Sequence, residues 1–151
     1  MNENEKELFV KSATDYFREG LNCAECTLKA YLDLHPELDS NLVTISSGFG
    51  GGIGRTRKNT CGALSAACIV AGFNYGRKDP FEKDTVRDRA VQLNKDVYPI
   101  FKNISDDFEK VFGSTICFDM CNNYKNFDGV ERKRNCERAV EVACEVVSKY
   151  I

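Results

Sequence analysis

The chain has 151 residues, of which 8 are cysteine, and a formal net charge of −2. That length suits a single domain spanning residues 1–151, long enough to bury a core without disulfide staples. The near-neutral balance excludes the strongly basic surface of a dedicated nucleic-acid binder.

The acidic start, residues 1–9, lacks the cationic and then apolar order of a secretory signal. Phe9, Ala13, Tyr16 and Phe17 share one face at helical spacing, and Gly20 is placed as the left-handed residue after a helix end. Asn22 then caps a second helix, with Glu25 three residues on completing a capping box. That helix runs to about His35 and stops before Pro36. Residues 38–47 read as a short helix or turn. Thr60 is expected to cap a third helix, from Cys61 to about Phe73.

The apolar part of that third helix is only 13 residues long. A membrane span needs about 20, so this segment reads as a buried central helix, with no membrane span in the chain. A cytoplasmic protein in a reducing compartment is the expectation, where many cysteines point to metal binding or thiol chemistry.

Further on, Asp79, Pro80 and Glu82 stand as N-cap, N1 and N3 of a helix carrying Val86, Ala90, Leu93 and Val97. Pro99 is expected to end or kink it. Ser105 starts a shorter helix with Phe108, Val111 and Phe112, stopped at Gly113. Asp128 with Glu131 caps the last helix, which carries Cys136, Val140, Ala143 and Val147. Strand signals are weak throughout. The fold class is an all-α single-domain helical bundle, its central helix preceded by a glycine-rich loop.

The cysteines fall at particular places on these helices. Cys23 follows the cap Asn22, and Cys61 follows Thr60, so both are expected in first turns. Unpaired N–H groups and the positive end of the helix dipole there favour a thiolate, which is both nucleophile and metal ligand. Cys26 shares the face of Cys23, and Cys121 that of Cys117 if the segment is helical. For these two, packing and function stay equally open. Cys68 and Cys144 lie within apolar faces and read as core filling.

Five glycines occur in residues 48–54, before Arg55, Arg57 and Lys58. Glycine permits close backbone approach and leaves amides uncovered as an anion-binding nest. The segment is neither a P-loop nor a dinucleotide fingerprint. A tight packed loop and a loop wrapped over a cofactor or reactive thiols both remain open. The single His35 reads as an exposed helix-end residue, so any zinc site must be cysteine-rich. No hydrolytic signature is present.

The elements NCAECTL with Cys23, Cys61-Gly62-Ala63-Leu64-Ser65-Ala66, GSTICFDMC with Cys117, and NCERAVEVAC with Cys136 together resemble the C_GCAxxG_C_C family of redox-active proteins. The likeness covers roughly residues 20–145, with Ala66 in place of the last glycine of CGAxxG. It implies redox activity through Cys23, Cys61, Cys117 and Cys136. It also implies a redox partner associated with transporters, since some members are encoded beside transporter genes.

Three readings follow. In the first, Cys23, Cys61, Cys117 and Cys136 ligate one iron–sulfur cluster, with Gly50, Gly51, Gly52, Gly54 and Gly62 closing around it. In the second, Cys61, beside Arg57 and Lys58, is the low-pKa attacking thiol of an oxidoreductase dithiol, with Cys23 or Cys117 resolving. In the third, the chain is a non-enzymatic cysteine-rich zinc or anion-binding module.

Overall fold

The computed structural model describes residues 1–151, all helical in their regular structure apart from one isolated bridge. Helix α1 (Glu3–Arg18) is capped by Asn2 and ends as expected, with Gly20 at φ 104°. Helix α2 (Cys23–Leu34) begins at the predicted capping box, in which Asn22 accepts from the Ala24 and Glu25 amides. A 3₁₀ segment (Ser40–Phe49) leads into the glycine-rich loop. Then follow α3 (Gly62–Tyr75), α4 (Val86–Gln92), a single π turn (Leu93–Val97), α5 (Tyr98–Phe112), α6 (Cys117–Cys121) and α7 (Val130–Ser148).

The core lies among α1, α2, α3, α5 and α7. Helix α3 is the central element: Ala63, Leu64, Ala66, Ala67, Val70 and Ala71 are all buried, and it packs on α2, α5 and α7. Its small side chains let those helices approach closely. Phe9, Leu28, Ile104 and Phe108 fill the remaining space, and each such burial contributes about 1.5–3 kcal/mol. No helix is long and apolar enough to cross a membrane.

Four boundaries differ from the expected ones. Helix α3 starts one residue later, with Cys61 itself as N-cap. Thr60 instead pairs with Ile116 in an antiparallel bridge. Asp79 caps only a turn, through the Phe81 amide at 2.8 Å. The helix begins after Thr85, which exchanges hydrogen bonds with Asp88. Pro99 lies in the first turn of α5, where its missing N–H is no loss, rather than ending α4, and a π turn joins the two helices. Ser105 therefore lies inside α5, which still stops at left-handed Gly113. Finally, Asp128 does not cap α7. Gly129 takes that place, and the Asp128 carboxylate pairs with Arg55.

Candidate functional site

Three local structures bring the cysteines to one pole of the bundle. The first is the start of α2. The Asn22 side chain donates to the Ser47 carbonyl at 3.1 Å while capping the helix. Cys23 is thereby placed beneath the 3₁₀ segment and the loop that follows it.

The second is the loop itself. Gly51, Gly52, Ile53, Gly54 and Arg55 all have positive φ, as does Arg57. A left-handed backbone costs roughly 1–2 kcal/mol at each residue with a Cβ, so Ile53, Arg55 and Arg57 are strained. The strain is held by long-reaching bonds. The Arg55 amide donates to Gly50, and the Arg57 amide to Gly51, both at 2.9 Å. The Thr56 hydroxyl donates to the Gly52 carbonyl at 2.6 Å.

The third is the bridge between Thr60 and Ile116. The Cys61 amide donates to Thr115 at 2.8 Å, and the Cys117 amide to Asn59 at 3.0 Å. Two distant segments are thus clamped at the residues that carry two of the cysteines. Helix α7 joins through Asn135, whose amide nitrogen donates to the Met120 carbonyl at 3.0 Å.

The result is a cavity of about 330 Å³. Five cysteines line it: Cys23, Cys61, Cys117, Cys121 and Cys136. All four cysteines singled out by the family resemblance face this one space, and Cys121 joins them. Cys26, Cys68 and Cys144 do not line it.

The sulfurs fall into two groups whose members shift one another's ionisation. Cys23 and Cys61 form one, and Cys121 joins Cys117 and Cys136 in the other. No three His, Cys, Asp or Glu side chains are gathered tightly enough to hold a single metal ion.

The expected assignment of the low-pKa thiol is reversed. The Cys61 thiol is pushed up, because it donates its hydrogen bond to Cys23, is buried, and faces the Cys23 charge. Cys23 is lowered to about 6 by that same bond, and the amides of Gly51, Gly62 and Ala63 also donate to its sulfur. Two structures therefore share in making the Cys23 thiolate: the left-handed loop and the start of α3. Cys61, as N-cap, still receives the Ala63 and Leu64 amides of its own helix, but its bond to Cys23 and its burial outweigh them. Nor do the expected cations serve it. Arg57 lies over the Phe127 ring at 3.5 Å, and Lys58 does not line the cavity.

In the second group, Cys117 is lowered, chiefly by the hydrogen bond from Cys121. Cys121 is raised by giving that bond, and Cys136 by donating to Cys121 and by burial. Arg132 donates to the Cys136 sulfur at 3.5 Å and favours the thiolate form of all three.

The glycines singled out in the sequence gather here too. Gly50, Gly51 and Gly54 line the cavity. At Gly52, φ is 67° and an added Cβ would stand 2.8 Å from that of Cys117. At Gly62, an added Cβ would stand 2.6 Å from the Cys23 sulfur and 2.7 Å from the Phe49 carbonyl. The glycine after Cys61 is what lets the Cys23 sulfur lie against the start of α3. Ala66, at the other end of the same motif, is fully buried in the core and its methyl is accommodated.

Arg132, Asn135, Phe127 and Phe17 also line the cavity and were not legible as site residues. The Phe127 ring is contacted by Arg55, Arg57 and Arg132, and no spacing in the sequence links those four. Cys121 had a signal, its distance of four residues from Cys117.

No curated protein and no solved structure matches the chain. The family model described as "Putative redox-active protein (C_GCAxxG_C_C)" matches residues 21–150, and the chain, with the four cysteines of that pattern facing one cavity, belongs to this redox-active family.

Proposed function

We propose that the protein carries electrons through an iron–sulfur cluster ligated by Cys23, Cys61, Cys117 and Cys136. The observation that carries this reading is the convergence of these four cysteines on one cavity beneath a run of left-handed backbone. Four thiolates are the usual ligand set for such a cluster. When bound, the cluster would supply one-electron transfer, at a potential tuned by burial and by hydrogen bonds to sulfur.

The residues present fit that group. The Gly51, Gly62 and Ala63 amides hold negative charge on the Cys23 sulfur. Arg132 faces the cavity and favours the thiolate form of Cys117, Cys121 and Cys136. Phe17, Met120 and Phe127 supply the apolar wall that limits water. The separation of the sulfurs into two groups suits a ligand larger than one ion, and is why a cysteine-rich zinc site takes second place to a cluster.

Purification without oxygen tests the proposal. Brown protein with iron and acid-labile sulfide in equal amounts is expected. Serine at any of the four positions should abolish the colour, while Cys68→Ser keeps it. Colourless protein that takes up neither iron nor sulfide on anaerobic reconstitution overturns the proposal. Zinc in place of iron would point to the binding-module reading.

The placement of Cys23 and Cys61 on one cavity wall, each shifting the other's ionisation, favours a second reading, a redox dithiol. Here Cys23 attacks and Cys61 resolves, and oxidation to the disulfide passes two electrons and two protons to an acceptor. Rapid loss of both free thiols to one disulfide, in metal-free protein, would support it.

A further inference from the structure

One wall of the five-cysteine cavity has a second space on its outer side. Phe17 and Arg132 line the cavity, and both also line an outer cleft of about 460 Å³ between the end of α1 and the start of α7. Arg132 reaches through this wall: it lines the cleft, and its guanidinium donates to the Cys136 sulfur at 3.5 Å. One layer of side chains therefore parts the cleft from the sulfurs.

The cleft is basic in a chain that is net negative. Its cations are Arg18, Arg132, Lys133 and Arg134. Its single carboxylate, Glu137, is already held by Arg18 at 2.6 Å. The ion pairs along α7 use Arg132, Glu137, Arg138, Glu141 and Glu145, so the exposed Lys133 and Arg134 carry unpaired charge. The rest of the lining is largely apolar: Val130 is 64% exposed, and Phe17 and Leu21 are half-buried. Apolar contact area within a charged rim is the anatomy of a protein–protein interface.

We propose that this cleft is the docking surface for a small acidic electron-carrier protein, which exchanges electrons with the cavity across the wall formed by Phe17 and Arg132. The inference rests on the electron-carrier reading of the cavity, and adds to it the surface and the chemistry of the partner. Each encounter moves one electron: the carrier is oxidised as the redox group of the cavity is reduced, or the reverse. A cleft of this size suits a brief encounter, since electron-transfer complexes are among the smallest specific interfaces. Opposite charge serves chiefly to speed and orient such an encounter.

The experiment uses reduced, full-length protein on a biosensor, and its probe is a plant-type ferredoxin, a small acidic one-electron carrier. Saturable binding is expected, weakening about tenfold between about 20 mM and about 200 mM salt as the charges are screened. Lys133→Glu combined with Arg134→Glu should slow association about tenfold. Arg87→Glu combined with Lys95→Glu makes the same change of net charge at exposed positions outside the cleft. That second pair should alter the rate by less than about twofold, because the steering field is local.

Absence of saturable binding overturns the inference. So does an equal effect of the two double variants, which would assign the binding to net charge. A chain that ignores ferredoxin yet sediments with phosphatidylglycerol vesicles gives the cleft to a lipid surface, and overturns it as well. Iron and sulfide uptake is measured on the same preparations. Uptake without docking leaves the cluster reading standing and this one lost. Docking at the cleft without uptake does the reverse.

Discussion

Cys23 and Cys26 lie three residues apart on α2, yet their surroundings drive them in opposite directions. Cys23 faces the cavity and is lowered to about 6 by the bond from Cys61 and by three backbone amides. Cys26 is fully buried in the core, and burial pushes its thiol far up. Cys144, on α7, is equally buried and also pushed up. The thiol is the same in every case. Donors aimed at the sulfur make it a reagent, and apolar packing makes it a small hydrophobe.

The largest effect expected from this contrast is in chemical labelling of reduced, metal-free protein. At pH 7 a thiol with a pKa of about 6 is mostly thiolate, against a few per cent for a free cysteine near 8.5. Iodoacetamide should therefore label Cys23 roughly ten- to thirtyfold faster than a free thiol, if nucleophilicity is equal, with an inflection near pH 6. Cys26 and Cys144 should stay unlabelled until the chain unfolds. Equal rates at Cys23 and Cys26, read by peptide mapping, would break the contrast.

The same shift has a consequence for stability. The folded-state pKa of Cys23 lies below the unfolded value, so its contribution is present above the ordinary thiol range and is lost as pH falls through about 6. The Tm of metal-free protein should rise between pH 6 and pH 8, and Cys23→Ser should flatten that rise. Cys61 acts with the opposite sign, since its raised pKa disfavours the folded state once unfolded thiols ionise. An unaltered pH profile in Cys23→Ser would remove the amides around that sulfur from the account.

The two ends of the CGAxxG element sharpen the comparison further. Gly62→Ala places a Cβ within 2.6 Å of the Cys23 sulfur and 2.7 Å of a carbonyl. Overpacking of this kind costs about 1–3 kcal/mol. It should also disturb Cys23 labelling, because the Gly62 amide is one of the donors to its sulfur. Ala66→Gly, on the core side, should cost about 1–2 kcal/mol through lost helix propensity and a lost buried methyl. Labelling of Cys23 should be unchanged. Thermal unfolding and labelling rates, measured together, separate the two cases. Identical labelling changes in both variants would argue that the glycine acts through general loosening.

Much of the architecture was legible because it rests on local signals. The Asn22 and Glu25 capping box, Gly20, Gly113 and the apolar face of α3 each act within a few residues. The convergence of Cys23, Cys61, Cys117 and Cys136 was legible only through the family resemblance, since no spacing rule joins four distant segments. The pairing of Thr60 with Ile116 was hidden because one bridge is too short to leave a strand pattern. The reversal between Cys23 and Cys61 was hidden for a related reason. It depends first on the interaction of Cys23 with Cys61, and then on which sulfur the Gly51, Gly62 and Ala63 amides reach, and so in part on the left-handed path of residues 51–55. Strain of that kind is not written in composition, because Ile53 and Arg55 stand at positive φ where glycine would be expected.

The smallest effect expected is at Arg132, and it probes how far the cavity environment extends. Its guanidinium donates to the Cys136 sulfur at 3.5 Å and favours the thiolate at Cys117, Cys121 and Cys136. It does not figure among the influences on Cys26 or Cys144. Arg132→Gln should therefore slow labelling of Cys117 by about threefold, a modest change expected of one partly solvated cation. Cys26 should not respond. Arg132→Lys keeps the charge but loses the planar fork that also contacts Phe127, so it should restore only part of the rate. Raising ionic strength should shrink the difference between wild type and Arg132→Gln if charge is the cause, and leave it unchanged if the loss is one of packing against Phe127. That division decides whether the cavity thiols differ from the core thiols by electrostatics at this wall or only by the donors at Cys23.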